Sequence, residues 1–283
     1  MPLHYEQRIH SPSAEWIVFF HGLGGDCSIF GKQVGFFQEG FNLLLIDLPG
    51  HGRSSGLEGK EPVEYTARRI LELLERLGLP PAHFLGISLG TVVMQYLASL
   101  SPERIKSMVL AGATYRFQPW GAWLVWLSLR FPLKQWMPVR WSYILFAHIL
   151  MPRRNHQKSR SLFIRVARGL RTSDYHAWGR ALLEAAVKTY SRLEPARNTL
   201  PKLYVCGSQD HMFLPALRRF VEAEAWAELA VLPACGHVCN IERAGPFNEL
   251  ALSFFQRSAS ASPLPSPLKG QKAARPGDAT RRA

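Results

Sequence analysis

The chain lacks an apolar segment long enough to cross a bilayer. The longest candidate, Phe117 to Leu129, stops at Arg130, short of the roughly 20 residues that a spanning helix needs. The first ten residues also lack the basic stretch and apolar core of a secretory signal. We therefore expect a cytoplasmic protein.

Cysteine is scarce, with four residues among 283. Their spacing does not suit a disulfide framework in a chain of this length, and it fits a reducing compartment. Cys235 and Cys239 flank His237 in a pattern that could suggest metal ligands. Because no second ligand cluster accompanies them, we expect no metal at this segment.

Acidic residues are scarce in the middle of the chain. Residues 116–197 contain 15 basic and 3 acidic residues, and the stretch from Phe117 to Ser173 contains no acid at all. This segment and the basic residues from Arg257 onward carry the positive charge, whereas the rest of the chain is slightly acidic. The net charge of the whole chain is +13. Residues 258–283 are rich in Ser, Pro, Ala and basic side chains, which predicts a disordered tail.

The composition is that of a globular protein, with 47% hydrophobic and 19% charged residues. From Trp16 to Ala111, apolar strand-like runs alternate with helix-like stretches, which predicts an α/β fold with a mostly parallel sheet covered by helices on both faces. The alternation stops near Gly112 and resumes at Leu203. The predicted organisation is an N-terminal core at 1–114, a helical lid at 115–200, a C-terminal core at 201–257 and the tail at 258–283.

Ser88 lies at the centre of a Gly-x-Ser-x-Gly pentapeptide, residues 86–90. The apolar run Ala82 to Gly86 predicts a buried strand before it, and Leu89 to Ser99 predicts a helix after it. This context is typical of a nucleophile elbow, in which we expect the glycines to let the chain turn sharply beneath the serine. The pentapeptide alone is also compatible with an ordinary turn.

A serine hydroxyl becomes a good nucleophile only beside a base that an acid orients. Asp210 follows the predicted strand Leu203 to Cys206, and His237 follows the predicted strand Glu228 to Leu232. The carboxyl ends of parallel strands share one edge of the sheet, so both side chains should lie near Ser88. Taken singly, Asp210 could form a turn and His237 could be a buried polar residue. Their occurrence in the order Ser, Asp, His favours catalysis.

Acyl transfer also needs two backbone N–H groups that stabilise an oxyanion. Leu89 supplies one candidate at the start of the predicted helix. Leu23 supplies the other, from the His-Gly-Leu-Gly-Gly loop at 21–25 that follows the strand Trp16 to Phe20. The loop could instead be only a flexible turn.

These motifs together resemble the α/β-hydrolase family from about Trp16 to Phe255. The stretch from Asp47 to Ser54 looks like a structural loop of that family, which has no catalytic role. The resemblance implies that Ser88 is the nucleophile, His237 the base and Asp210 its orienting acid, with Leu23 and Leu89 as oxyanion donors.

The nucleophile separates this chain from the dehalogenases and epoxide hydrolases of the family, which place Asp at the elbow. The loops also look something like those of the menaquinone-pathway synthase branch. That branch has an arginine at the position of Val92, so the resemblance argues against its specific activity.

The sequence therefore predicts a serine hydrolase that cleaves esters of a hydrophobic acyl group through an acyl-serine, with no metal or organic cofactor. A C–C bond hydrolase, a thioesterase, a lactonase or a slow ligand receptor would use the same residues. The basic, Trp-rich lid suits peripheral contact with an anionic membrane or an anionic ligand, or simply a packed helical cover. We expect no nucleic-acid binding, since no recognition motif is present.

Overall fold

Seven strands of four to seven residues, apolar for the most part except at the edge strand Tyr5–Arg8, form one sheet in the order β1-β3-β2-β4-β5-β6-β7. The computed structural model describes residues 3–57, 60–130, 138–189, 199–224 and 226–260. The strands are β1 Tyr5–Arg8, β2 Trp16–Phe20, β3 Asn42–Ile46, β4 Ala82–Ile87, β5 Ile105–Ala111, β6 Lys202–Gly207 and β7 Ala227–Leu232. Strand β1 pairs antiparallel with β3, and all other pairs are parallel. The predicted mostly parallel sheet is confirmed.

Helices cover both faces of the sheet, as predicted. The α-helices of the described residues, including those of the insertion, are α1 Gly31–Phe37, α2 Pro62–Arg76, α3 Leu89–Leu100, α4 Pro119–Ser128, α5 Val139–Leu150, α6 Gln157–Val166, α7 Thr172–Lys188, α8 Leu214–Glu222, α9 Cys239–Glu242 and α10 Ala244–Ser260. Helix α3 packs on β2, β4 and β5, whereas α10 packs with α1 and against β5 and β6. Every residue of β3 and β4 is buried, because both faces of a parallel sheet are covered. Within the described residues, no helix is both long and apolar enough to cross a membrane.

Helices α4 to α7 are inserted between β5 and β6, where the strand alternation of the sequence stops. This inserted segment, residues 115–189, packs on the core through Tyr143 and Trp178, which are both buried. The Trp178 indole N–H donates to the Pro49 carbonyl at 3.0 Å. Residues 131–137 and 190–198 of the predicted lid lie outside the described residues.

One helix and one boundary differ from the sequence prediction. Helix α1 was not predicted, since its seven residues include Gly31 and Gly35 and show little periodicity. Helix α10 continues to Ser260, past the predicted start of the tail at 258. The remainder of the predicted tail lies outside the described residues.

The loop after β3 is held together by the carboxylate of Asp47. It accepts the backbone N–H groups of Cys27 at 2.8 Å and Arg53 at 2.9 Å. Gly52 has a φ of +51°, and a Cβ at this position would lie 2.2 Å from Asp47 Oδ2. The contacts agree with the structural role that the resemblance implies for this loop.

Buried histidines make the stability of the fold depend on pH. Burial lowers the pKa of His51 from 6.5 to about 3, and burial also lowers the pKa of His21 and His83. Below pH 6.5 the unfolded chain therefore binds more protons than the native chain, so the free energy of unfolding falls as the pH falls.

We expect the free energy of unfolding, measured with urea, to decrease as the pH falls from 6.5 to 5, with His51 contributing up to about 1.4 kcal/mol per pH unit because its native pKa is about 3. The substitution His51→Gln should make the pH dependence shallower, because the titrating side chain is removed. An unfolding free energy that stays constant over this range would contradict the prediction.

Candidate active site

Ser88 occupies a strained turn between β4 and α3. Its φ of 51° and ψ of −113° lie in a region that L-residues rarely adopt, at a cost of roughly 1–3 kcal/mol. The Ser88 N–H donates to the carbonyl of Ala111 at 2.9 Å, which ties the turn to the end of β5. The turn holds the hydroxyl at the carboxyl edge of the sheet.

The flanking glycines serve a different purpose from the one predicted. A Cβ on Gly90 would lie 2.2 Å from the Phe20 carbonyl oxygen, and one on Gly86 would lie 2.2 Å from Met94 Sδ. The glycines therefore allow β4 and α3 to approach their neighbours closely. The positive φ that makes the turn sharp belongs to Ser88 itself.

Asp210 and His237 form a buried pair. Asp210 follows β6 and His237 follows β7, and these strands are neighbours in the sheet. His237 Nδ1 lies 2.8 Å from Asp210 Oδ2, with side-chain exposures of 1% and 0%. The other carboxylate oxygen of Asp210 accepts the N–H of Phe213 at 3.1 Å. A carboxylate so placed keeps a hydrogen on Nδ1 and leaves Nε2 as the proton acceptor.

Ser88 lies in the same cavity as His237, but the two side chains are not hydrogen-bonded. The Ser88 hydroxyl oxygen lies 3.3 Å from Thr114 Oγ1, and His237 Nε2 is buried without a hydrogen bond to any described residue. Nucleophile–base hydrogen bonds are often long before a substrate binds. The structure thus brings the acid and base together beside Ser88, and it adds Thr114, a contact that the sequence does not reveal.

The predicted oxyanion donors belong to two segments next to Ser88. Leu89 is the first residue of α3, where a backbone N–H has no partner within the helix. The loop that contains Leu23 passes so close that a Cβ on Gly22 would be 3.3 Å from Ser88 Cβ.

The inserted segment holds the Leu23 loop through Tyr143. The buried Tyr143 hydroxyl donates to the Leu23 carbonyl at 2.8 Å, and burial raises the tyrosine pKa well above 10, so the donor stays protonated. Gly24 has a φ of +73°, and a Cβ there would lie 2.5 Å from the Tyr143 hydroxyl oxygen. This contact holds the peptide group between Leu23 and Gly24, which follows the peptide that carries the Leu23 N–H.

The cavity at Ser88 is small and apolar. Its volume is about 20 Å³, which is room for about one water molecule. Helix α6 covers it with Leu162, Phe163 and Val166, and no described lining residue is Asp, Glu, Lys or Arg. This volume is smaller than an ester substrate, and α6 forms one wall of the cavity.

A second buried network connects the inserted segment with the loops that carry Asp210 and His237. His156 Nε2 lies 2.8 Å from Gln209 Oε1, next to Asp210 in the chain. Glu242 accepts the Gly236 N–H at 2.7 Å and the Ser159 hydroxyl at 3.0 Å. These contacts position the residues on either side of the acid–base pair, and nothing in the local sequence pattern indicates them.

His4, Cys27 and Asp47 form the one cluster of potential metal ligands within the described residues. Both Asp47 oxygens already accept backbone N–H groups. Burial and the nearby carboxylate also raise the pKa of the Cys27 thiol, which disfavours the thiolate that binds metals. The cluster is therefore explained by its own hydrogen bonds. Cys235 and Cys239 are likewise buried, free thiols.

The sequence and structure match known α/β hydrolases. A family model described as the alpha/beta hydrolase fold matches residues 15–244, and the chain belongs to this family. The 3-oxoadipate enol-lactonase 2 of Acinetobacter baylyi is 27% identical over 85% of this chain and 88% of the relative. The 2-succinyl-6-hydroxy-2,4-cyclohexadiene-1-carboxylate synthase of Escherichia coli O7:K1 is 28% identical over 89% and 97%.

Solved structures agree with the fold. The enol-lactonase of Burkholderia xenovorans superposes with a TM-score of 0.72 at 24% identity, covering 90% of this chain and 96% of its own. An esterase of Exiguobacterium antarcticum gives a TM-score of 0.75 at 18% identity, covering 90% and 95%. With the family match, these comparisons identify the chain as a hydrolase of the α/β-hydrolase fold.

Replacement of Asp210 tests the acid–base pair. In the variant Asp210→Asn the amide no longer favours a hydrogen on Nδ1, so we expect kcat for p-nitrophenyl acetate to fall by about 10⁴-fold. Circular dichroism should show an unchanged fold. A decrease of less than tenfold would mean that Asp210 does not orient the base.

Replacement of Tyr143 tests the contact with the Leu23 loop. Tyr143→Phe keeps the ring that stacks on Phe163 at 4.7 Å but removes the hydroxyl donor. We expect kcat to fall by about tenfold to a hundredfold with little change in KM, because the hydroxyl anchors the loop that carries the predicted oxyanion donor Leu23. Tyr175→Phe, which removes a hydroxyl from the neighbouring buried ring 6.2 Å away, is the control. Equal effects of both variants on kcat would show that only packing matters.

Proposed function

We propose that this chain is a serine hydrolase that cleaves carboxylic esters of a hydrophobic acyl group through an acyl-Ser88 intermediate. The observation that carries the proposal is the buried Asp210–His237 pair, 2.8 Å apart, in one cavity with a serine on a strained elbow. A nucleophile elbow requires a strained backbone of this kind at its serine, which supports the assignment.

The proposed reaction has two acyl-transfer steps. Ser88 Oγ attacks the ester carbonyl while His237 Nε2 takes its proton, and the N–H groups of Leu23 and Leu89 stabilise the oxyanion. His237 then gives the proton to the departing alcohol, leaving an ester on Ser88. A water molecule that loses its proton to His237 attacks this ester, and the carboxylic acid leaves as Ser88 regains the proton.

The walls of the cavity favour an uncharged acyl group. Ile29, Val238 and Ile241 line it together with the α6 side chains, and none of the described lining residues could pair with a substrate carboxylate. Val92 is fully buried in α3, at the position where the resemblance assigns an arginine to the synthase branch. Both features favour ester hydrolysis over that activity.

A lactonase is the second candidate, and the comparisons favour it specifically. The Acinetobacter relative and the Burkholderia structure are both named enol-lactonases. A lactone is a cyclic ester, so the same residues would open it through the same two steps. The difference is that the leaving alcohol stays attached to the acyl group.

A panel of p-nitrophenyl esters from acetate to palmitate, compared between the native chain and Ser88→Ala, tests the proposal. We expect the variant to lose at least about 10⁴-fold in kcat while remaining folded, because the nucleophile is absent. p-Nitrophenyl butyrate should react faster than the hemisuccinate, which has a carboxylate on an acyl chain of the same length. Equal rates for native chain and variant would refute the mechanism, and Ser88-dependent turnover of lactones alone would favour the second candidate.

A further inference from the structure

The inserted segment presents an unusual apolar surface to solvent. Five of the eight exposed large apolar side chains in the described part of the chain lie on α4 and α5. They are Trp120, Trp123, Trp126, Trp141 and Leu145, with exposures of 44%, 57%, 45%, 63% and 52%. We call these five residues the tryptophan face. Contiguous exposed apolar surface of this kind marks an interaction site.

The tryptophan face lies on two helices that share an apolar groove. Trp120, Trp123 and Trp126 lie within an arc of about 120° on α4, and Trp141 and Leu145 are one turn apart on α5. Between the helices lies a groove of about 120 Å³, lined mostly by apolar side chains from both, such as Val125, Leu145 and Phe146. Side chains from α4 and α5 therefore form one surface.

The segment that carries the tryptophan face is rich in exposed positive charge. Exposed cationic residues of the inserted segment are Arg116, Arg130, Arg140, Arg153, Arg154, Lys158, Arg165, Arg168, Arg171 and Arg180. From Phe117 to Ser173 the sequence has no acid that could neutralise them, and the next one, Asp174, is buried and paired with Arg171 at 2.7 Å. The field of this surface is therefore strongly positive.

Two of these cations face one cleft beside α5. Arg140 and Arg168 line a cleft of about 370 Å³, together with residues of α5, α6 and the turn after α6. Arg130 lies over the ring of Trp126, with its guanidinium carbon 4.5 Å from the ring centre. Indole rings with adjacent guanidinium groups suit the interface between acyl chains and anionic headgroups.

We propose that the tryptophan face docks the protein onto the surface of an anionic lipid bilayer. Its indoles would insert among the headgroups and the uppermost acyl chain segments, and the surrounding arginines would contact lipid phosphates. An aliphatic and aromatic groove suits acyl chains better than the hydrogen-bonding edges of nucleic-acid bases, which favours lipid over nucleic acid as the occupant. The face contributes no residue to the cavity at Ser88, so docking does not depend on the proposed chemistry.

Sedimentation of the full chain with vesicles tests the proposal directly. The vesicles contain either phosphatidylcholine alone or phosphatidylcholine and phosphatidylglycerol in a ratio of about 70:30, which approximates an anionic leaflet. We expect at least about tenfold tighter binding to the anionic vesicles. The difference should disappear as NaCl is raised from about 0.1 M toward 1 M, because the Debye length falls from about 10 Å to 3 Å.

Two double variants separate the apolar from the electrostatic contribution. Trp123→Ser with Trp141→Ser should weaken binding to both kinds of vesicle by at least about tenfold, since two interfacial anchors are lost. Arg140→Gln with Arg168→Gln should weaken binding to anionic vesicles alone, by about fivefold for each arginine.

The controls remove exposed groups of the same two kinds from other parts of the chain. They are Phe36→Ser with Leu100→Ser for apolar surface and Arg76→Gln with Arg219→Gln for charge. All variants should keep the native circular dichroism spectrum and native turnover of p-nitrophenyl acetate, which shows that they fold. The controls should bind anionic vesicles as the native chain does.

Three results would overturn the proposal. The first is the absence of binding to anionic vesicles at about 0.1 M NaCl, where surface electrostatics is only partly screened. The second is binding that the tryptophan and arginine variants leave unchanged, since the contact would then lie elsewhere in the chain. The third is duplex DNA that binds through the same residues and displaces the protein from vesicles, which would identify nucleic acid as the occupant.

Discussion

The backbone of Ser88 is held at a positive φ, and the arrangement of the site depends on it. A residue with a Cβ resists this conformation, so the neighbours must enforce it: the Ser88 N–H is bonded to the end of β5, and Gly90 lets α3 pack against the carbonyl of Phe20. The consequence is a hydroxyl that projects beyond the sheet, with the first N–H of α3 beside it. Stability is given up at this turn to place the Ser88 hydroxyl in one cavity with His237, which is paired with Asp210.

The acid–base pair and the inserted segment complete the arrangement. Adjacent parallel strands deliver Asp210 and His237 to one edge of the sheet, and burial removes the water that would compete with their hydrogen bond. Tyr143 and His156, both in the inserted segment, bond to the Leu23 loop and to Gln209 beside the acid. These bonds couple the inserted segment to the Leu23 loop and to the loop that carries Asp210.

The alternation of apolar runs and helical stripes predicted the sheet, its helices and the insertion after β5, because these patterns are local in the chain. We could also predict that Ser88, Asp210 and His237 lie near each other, because each follows a strand that ends at the same edge of the sheet. Contacts such as Tyr143 with Leu23 could not be predicted, since they join residues 120 positions apart and carry no periodic signal. The purpose of Gly86 and Gly90 was also misjudged, because close approach to Met94 and Phe20 is a tertiary property.

Covalent labelling tests most directly whether this arrangement makes Ser88 a nucleophile. The chain would be treated with a fluorophosphonate, which forms a stable ester with a serine that a neighbouring base activates, and the modified peptide would be mapped by mass spectrometry. The account predicts one adduct, on Ser88, that forms far more slowly in His237→Ala. Absence of an adduct in the folded chain, an adduct on another residue, or labelling that does not depend on His237 would contradict it.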